Sequence, residues 1–186
     1  ERIESASDGQ ALTYFEYGTL AALWIFSNAS CDAWILEVGL GGRLDAVNIV
    51  EPDYSLLTTI ALDHEKWLGN DVEQIAREKA GIMRLGTPAF FGDYPAPAAI
   101  GETAKELGAP LFCLGEAFDY SLEDAVWNWR GQKYELKSLP WPPGRGEEQI
   151  RNLSLVLAVL ERYDPTLLAR RHLICELAEQ FHLPGR

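Results

Sequence analysis

The fold class this sequence predicts is α/β: a mostly parallel sheet flanked by helices, with a small β-hairpin region attached. Three observations predict it. Short apolar runs alternate with helical stretches from Ala33 onward, the rhythm of a sheet assembled from β-α-β units with right-handed crossovers. One of these runs ends in a carboxylate and a glycine-rich turn, Glu37 followed by Gly39, Gly41 and Gly42. Such strand ends are where open α/β sheets hold ligands. From Val126 to Leu139 the pattern changes to V-W-N-W-R-G-Q-K-Y-E-L-K-S-L, a two-residue alternation around Arg130-Gly131 that reads as an antiparallel hairpin.

The elements follow in order. Residues 1–10 are polar and read as a loop. Residues 12–28 read as a helix with apolar positions Phe15, Leu20, Leu23, Trp24 and Ile25, and the aromatic start T-Y-F-E-Y-G-T reads as packing against the sheet. Ala33-Trp34-Ile35-Leu36 reads as a buried parallel strand. The glycines after it turn the backbone where side chains would obstruct close approach. Residues 54–60 read as a second buried strand, running into Asp63 and His64. Asn70 then reads as a helix N-cap, with Glu73 completing a capping box. Val72, Ile75, Ala76, Lys79, Ala80 and Met83 fall on one stripe of that helix. Residues 88–92 read as a third strand, 96–107 as a helix ended by Gly108, and 110–114 as a fourth strand. After the hairpin, Pro140 to Gly144 is a stiff linker, residues 147–163 are a strong helix broken at Asp164-Pro165, and residues 166–181 make the last helix.

Composition narrows the function. The chain has 186 residues, enough to bury a core without disulfides or metal staples. Its net charge is −12, and no Lys/Arg cluster is present, so nucleic acid and anionic membrane surfaces are poor partners. An acidic protein that binds an anionic substrate uses a divalent cation as the bridge. No apolar run approaches the ~20 residues that span a bilayer. Cys31, Cys113 and Cys175 are scattered without metal-ligand spacing and read as reduced, core-filling cysteines of a cytoplasmic protein. The chain begins at Glu1 rather than Met and ends on Pro-Gly-Arg, so both ends are expected to be cut points in a longer protein.

The chemistry-bearing residues are few. Glu37 reads either as a metal ligand at a nucleotide site or as a satisfied buried glutamate. His64 falls at the matching end of the next strand, on the same rim if the two strands are parallel neighbours. Lys79 lies on the stripe expected to be buried, where a lysine is costly unless paired, neutralised or modified; a lysine snorkelling from the stripe's edge is the other reading. There is no G-x-x-x-x-G-K-[ST] loop. Gly39-Leu40-Gly41 is followed by Leu44 where a dinucleotide fingerprint needs its third glycine. Magnesium with a nucleotide phosphate fits so sparse a ligand set, because Mg²⁺ keeps several waters and takes few protein groups.

L-T-Y-F-E-Y-G-T, I-L-E-V-G-L-G-G-R-L-D-A-V-N, I-A-L-D-H-E-K-W-L-G and R-E-K-A-G-I stand in this order between Leu12 and Ile82. Together they resemble consecutive motifs of the folylpolyglutamate synthase/dihydrofolate synthase family, within the ATP-dependent Mur ligase group. The first motif is similar to the bifunctional bacterial members in particular. Past Gly92 the likeness weakens, returning at Gln149-Ile150-Arg151-Asn152 and at Leu183 to Arg186. The resemblance implies a Mur-ligase-type central domain and an ATP-driven amide ligase joining L-glutamate to dihydropteroate and to folate polyglutamates. It implies magnesium at Glu37 and His64, with two metal sites, and a carbamylated Lys79 that orients the metals. Thr13, Tyr14, Phe15 and Glu16, with Leu44, Asp45 and Ala46, match the dihydropteroate segments. Asn152 and Arg186 match ATP contacts. Residues 1–186 would be part of the central ATP-binding domain, with 118–145 an appendage, working as a cytoplasmic monomer. The family's phosphate loop and its carboxy-terminal domain are expected outside this chain, which is then expected to be inactive alone. A monofunctional folylpolyglutamate synthase and a non-catalytic α/β binding module derived from such a ligase are the alternatives.

Overall fold

The computed structural model describes residues 2–61, 71–143 and 146–180. The chain divides into two compact units, Glu1–Glu51 and Pro52–Arg186.

In the first unit, helix α1 (Arg2–Ala6) replaces the expected loop and closes with a 2.8 Å bond from the Ser7 amide to the Ile3 carbonyl. Asp8 and Gly9, at φ 47° and 79°, then end it. Helix α2 (Tyr14–Asn28) begins where its sequence asks. The Thr13 hydroxyl accepts from the Glu16 amide, and the Glu16 carboxylate accepts from the Thr13 amide and hydroxyl, a reciprocal cap. The Arg2 guanidinium sits 5.3 Å from the Trp24 ring centre and ties α1 to α2.

Two further expectations fail in this unit. Ala33 to Leu36 is not a strand, and Ile35 is 93% exposed. Apolar composition makes a strand only where a partner strand supplies backbone hydrogen bonds, and among the described residues this unit contains none. Trp34 instead tilts against Phe26, ring centres 5.7 Å apart. The aromatic start of α2 is likewise not packed away, since α2 holds no buried residue. Gly42 is the one buried residue of the described part of the unit.

The second unit carries the sheet. Strands β1 (Ser55–Leu57), β2 (Ala89–Phe91) and β3 (Leu111–Cys113) are parallel, in the order β1-β2-β3. Successive side chains of β2 therefore face opposite layers. Ala89 and Phe91 join a core with α3 (Val72–Ala80) and α4 (Ala98–Leu107), through Ala76, Ala80, Ile100 and Ala104. Phe90 joins the other core, with Trp127, Trp129, Ile150 and Leu155. Strand β1 is shorter than expected and half-buried, with Leu56 39% exposed, as befits an edge. Gly108, at φ 69°, ends α4.

The N-cap of α3 is Asp71, whose carboxylate accepts from the Glu73 amide at 3.1 Å; the expected cap, Asn70, lies outside the described residues. Glu73 does not complete a capping box. Its carboxylate accepts from the amides of Ala98 and Ala99, at 3.1 and 2.7 Å. Pro97 offers α4 no side-chain cap, and the neighbouring helix supplies one.

The hairpin forms from β5 (Val126–Arg130) and β6 (Glu135–Pro140), with a third strand, β4 (Asp119–Leu122), on its edge. The half-exposed, weakly apolar D-Y-S-L gave no strand signal. The Glu161 carboxylate accepts from the amides of Gln132, Lys133 and Tyr134, closing the turn onto helix α5 (Glu147–Tyr163). The last helix is interrupted: α6 (Thr166–Ala169) stops at Arg170, which is non-helical at φ −86° and ψ 53°, and α7 (Arg171–Gln180) restarts. Arg171 then donates to the Lys137 and Ser138 carbonyls and anchors the restart on β6. Phe181 lies outside the described residues. No described helix is long and apolar enough to cross a membrane.

Candidate functional site

The first unit builds a cavity of about 400 Å³ between α2 and the glycine-rich turn, lined among others by Leu12, Glu16, Leu20, Arg43, Leu44, Asp45 and Ala46. Asp45 shapes it. One carboxylate oxygen accepts from the amides of Gly39 and Leu40, both at 3.0 Å, and the other from Val47 at 2.9 Å. That bond caps the 3₁₀ turn Ala46–Ile49. Phe15 packs on the same turn: a Cβ at Gly39 would lie 2.7 Å from Phe15 Cζ, so the ring occupies space that only a glycine leaves free.

Of the seven residues matched to the pterin substrate, Glu16, Leu44, Asp45 and Ala46 line this cavity. Thr13, Tyr14 and Phe15 do not. Thr13 is spent on the helix cap, Tyr14 is 97% exposed, and Phe15 supports the turn from beside it. The Glu16 carboxylate is held below the usual carboxylate range by the Thr13 amide first and the Thr13 hydroxyl second. Thr19, Leu20, Arg43, Asn48 and Ile49 are lining residues that sequence reasoning missed. Thr19 and Leu20 follow Glu16 by three and four positions, the spacing of one helix face, which was the available signal.

Glu37 is exposed, and its carboxylate makes no hydrogen bond or ion pair among the described residues. Both carboxylate oxygens are therefore open among the described residues. Among the described residues no group of three or more His, Cys, Asp and Glu is gathered for a metal. His64, its expected companion, lies outside those residues, as does Arg186. A carboxylate oxygen is the kind of hard donor that Mg²⁺ takes, and the open Glu37 is of that kind.

Lys79 lies in the last turn of α3. It is half-buried, while Ile75, Ala76, Ala80 and Met83 of the same stripe are fully buried. Its ammonium has no partner among the described residues. Helix α3 is itself held firmly, by the Asp71 cap, by Glu73 on α4, and by a 2.9 Å ion pair between Arg77 and Glu102. Asn152 is exposed on the second turn of α5, and its side-chain amide makes no hydrogen bond among the described residues.

No protein-family model matches the chain. Curated relatives do. The chain is 52% identical over 140 residues to the dihydrofolate synthase/folylpolyglutamate synthase of Escherichia coli K12, covering 75% of this chain and 33% of that protein. It is 35% identical over all 186 residues to the protein of the same name from Buchnera aphidicola subsp. Acyrthosiphon pisum, covering 44% of it. Among solved structures, E. coli FolC in complex with DHPP and ADP superposes with a TM-score of 0.89 at 45% identity, over 99% of this chain and 43% of that one. The chain thus spans less than half the length of these relatives. In sequence and in fold it belongs to the dihydrofolate synthase/folylpolyglutamate synthase family.

Proposed function

We propose that this chain is part of the central ATP-binding domain of an ATP- and magnesium-dependent amide ligase, with residues 118–145 as its β-hairpin appendage. The reaction adds L-glutamate to dihydropteroate and to folate polyglutamates. ATP phosphorylates the acceptor carboxylate, and the glutamate amine displaces phosphate from the acyl phosphate. The observation that carries this reading is the 52% identity over 140 residues to the E. coli synthase. A related bifunctional synthase, 44% identical, has been solved with Mn, AMPPNP and L-glutamate bound.

In this reading Glu37 and His64 hold magnesium, and a carbamylated Lys79 orients the two metal sites as an anion. Bound magnesium supplies charge neutralisation at the phosphates. Asn152 and Arg186 hold the nucleotide. The cavity walled by Glu16, Leu44, Asp45 and Ala46 receives the pterin acceptor, with Thr13, Tyr14 and Phe15 framing its entrance helix. Positioning and fixed dipoles supply the rest of the catalysis. The protein works as a cytoplasmic monomer on small molecules.

Glu37→Ala and His64→Ala in the intact ligase are expected to lower turnover by orders of magnitude. Near-normal rates in saturating Mg²⁺ would remove the metal role. Lys79→Ala is expected to lose activity and to recover part of it when a small carboxylate is added. The chain by itself is expected to be inactive, and a glutamate-dependent ATPase from it would overturn that. A monofunctional folylpolyglutamate synthase is the second reading; the chain is 31% identical over 169 residues to the Lacticaseibacillus casei folylpolyglutamate synthase. Radiolabelled glutamate incorporation with dihydropteroate and with a folate acceptor separates the two. Retention of Glu37, His64 and Lys79 together speaks against a non-catalytic binding module.

A further inference from the structure

Of the ion pairs described in the second unit, Arg151–Asp93 is the most withdrawn from solvent. Its side chains are 24% and 15% exposed, against 44% or more in Arg77–Glu102, Arg130–Asp119 and Lys137–Glu135. Withdrawing two charges from water is costly, and hydrophobic residues often serve stability as well. A part-buried pair at this one spot therefore asks what geometry it secures.

Its location answers. Asp93 follows Gly92 directly beyond the carboxyl end of β2, on the ligand-binding rim of a parallel sheet. Arg151 is on the second turn of α5, next to Asn152. Three contacts fix the same side of α5 at helical spacing. The Tyr120 hydroxyl donates to Glu147 at 2.6 Å, Arg151 donates to Asp93, and Leu155 presses on Gly92, where an added Cβ would lie 3.0 Å from Leu155 Cδ2. Asp93 is itself held, its carboxylate accepting from the Tyr94 amide at 2.9 Å. Asn152 stands about 100° around the helix from Arg151, exposed and with no partner for its side-chain amide among the described residues. The clamp sets the roll and depth of α5, and with them the direction of the Asn152 amide.

We infer that Asp93 and Arg151 are positioning residues for nucleotide binding: the pair locks α5 to the carboxyl end of β2 so that Asn152 meets the nucleotide in one orientation. The inference rests on the reading of Asn152 as an ATP contact. Neither Asp93 nor Arg151 needs to touch the nucleotide.

The test uses Asp93→Asn, Asp93→Glu, Arg151→Lys and Asn152→Ala in the intact ligase. ADP affinity is measured by calorimetry, KM is measured for ATP and for L-glutamate, and melting is followed in parallel. Asp93→Asn is expected to weaken ADP and raise KM for ATP roughly tenfold, because sub-ångström misplacement is costly at a preorganised site. KM for L-glutamate and kcat at saturating ATP stay within about twofold of the unsubstituted enzyme on the same argument. Asp93→Glu restores most of the loss. Should Asp93→Asn not fold, Arg151→Lys, which keeps the charge but loses the fork, is expected to show the same selective rise in KM for ATP. Unchanged ADP affinity in the variants that fold, or parallel losses for ATP and glutamate that track melting, would overturn the positioning role while Asn152→Ala still weakens ADP. If Asn152→Ala leaves ADP affinity unchanged, the reading of Asn152 fails and the inference falls with it.

Discussion

Cys31 and Cys113 illustrate how little a residue type says before its surroundings are known. Both were expected in a core; Cys31 is exposed, Cys113 is buried at the end of β3, and Cys175 is intermediate. Burial, with Glu116 adding a smaller push, raises the Cys113 thiol from 9.0 to about 11. At pH 8 a thiol reagent is therefore expected to label Cys31 in the folded chain and leave Cys113 untouched until denaturant is added, as peptide mapping would show. The stability consequence has a definite sign. The raised thiol favours the fold fully below pH 9, and that contribution is lost as pH rises from 9 toward 11, because the unfolded chain ionises first. A urea-midpoint series across that window, run with Cys113→Ala, is expected to show a flatter slope in the variant. Carboxylates divide in the same way: Asp45 and Glu16 are occupied with backbone amides, whereas Glu37 is open.

At the scale of elements, helix placement depends on contacts between them. Gly92 lets α5 close on β2, and the buried Leu155 has no room to give, at 3.0 and 3.2 Å from an added Cβ. Gly92→Ala is expected to destabilise the fold by about 1–3 kcal/mol, the usual cost of overpacking, measurable as a lowered urea midpoint at unchanged slope. Glu161→Ala removes the acceptor of three turn amides and is expected to cost about 1–2 kcal/mol at this partly exposed site. The short-range patterns were legible: the apolar stripe of α3, the span of α5 and the Gly108 stop all appear as expected. The strand at residues 33–36 was not, because a strand needs a partner that a local pattern cannot name.

The whole molecule is uneven. The described part of the first unit buries one residue, Gly42, while the second owns both apolar clusters. Hydrogen exchange on this chain is expected to report that difference. Amides of Ala89 and Gly92, bonded at 2.8 and 2.9 Å within the sheet, should exchange orders of magnitude more slowly than those of residues 33–37, which have no such bonds among the described residues; similar rates would contradict the fold described. The sequence by itself determined the α/β class, helices α2 to α5, the hairpin and the order of the family motifs, because helical period, strand alternation and motif spacing are written over a few neighbouring residues. Only the tertiary structure decided which polar groups are engaged and which stay open. Glu73 reaches α4 across 25 residues and Asp93 reaches Arg151 across 58. Partners that far apart in the chain meet only after folding, because packing and not local pattern brings them together.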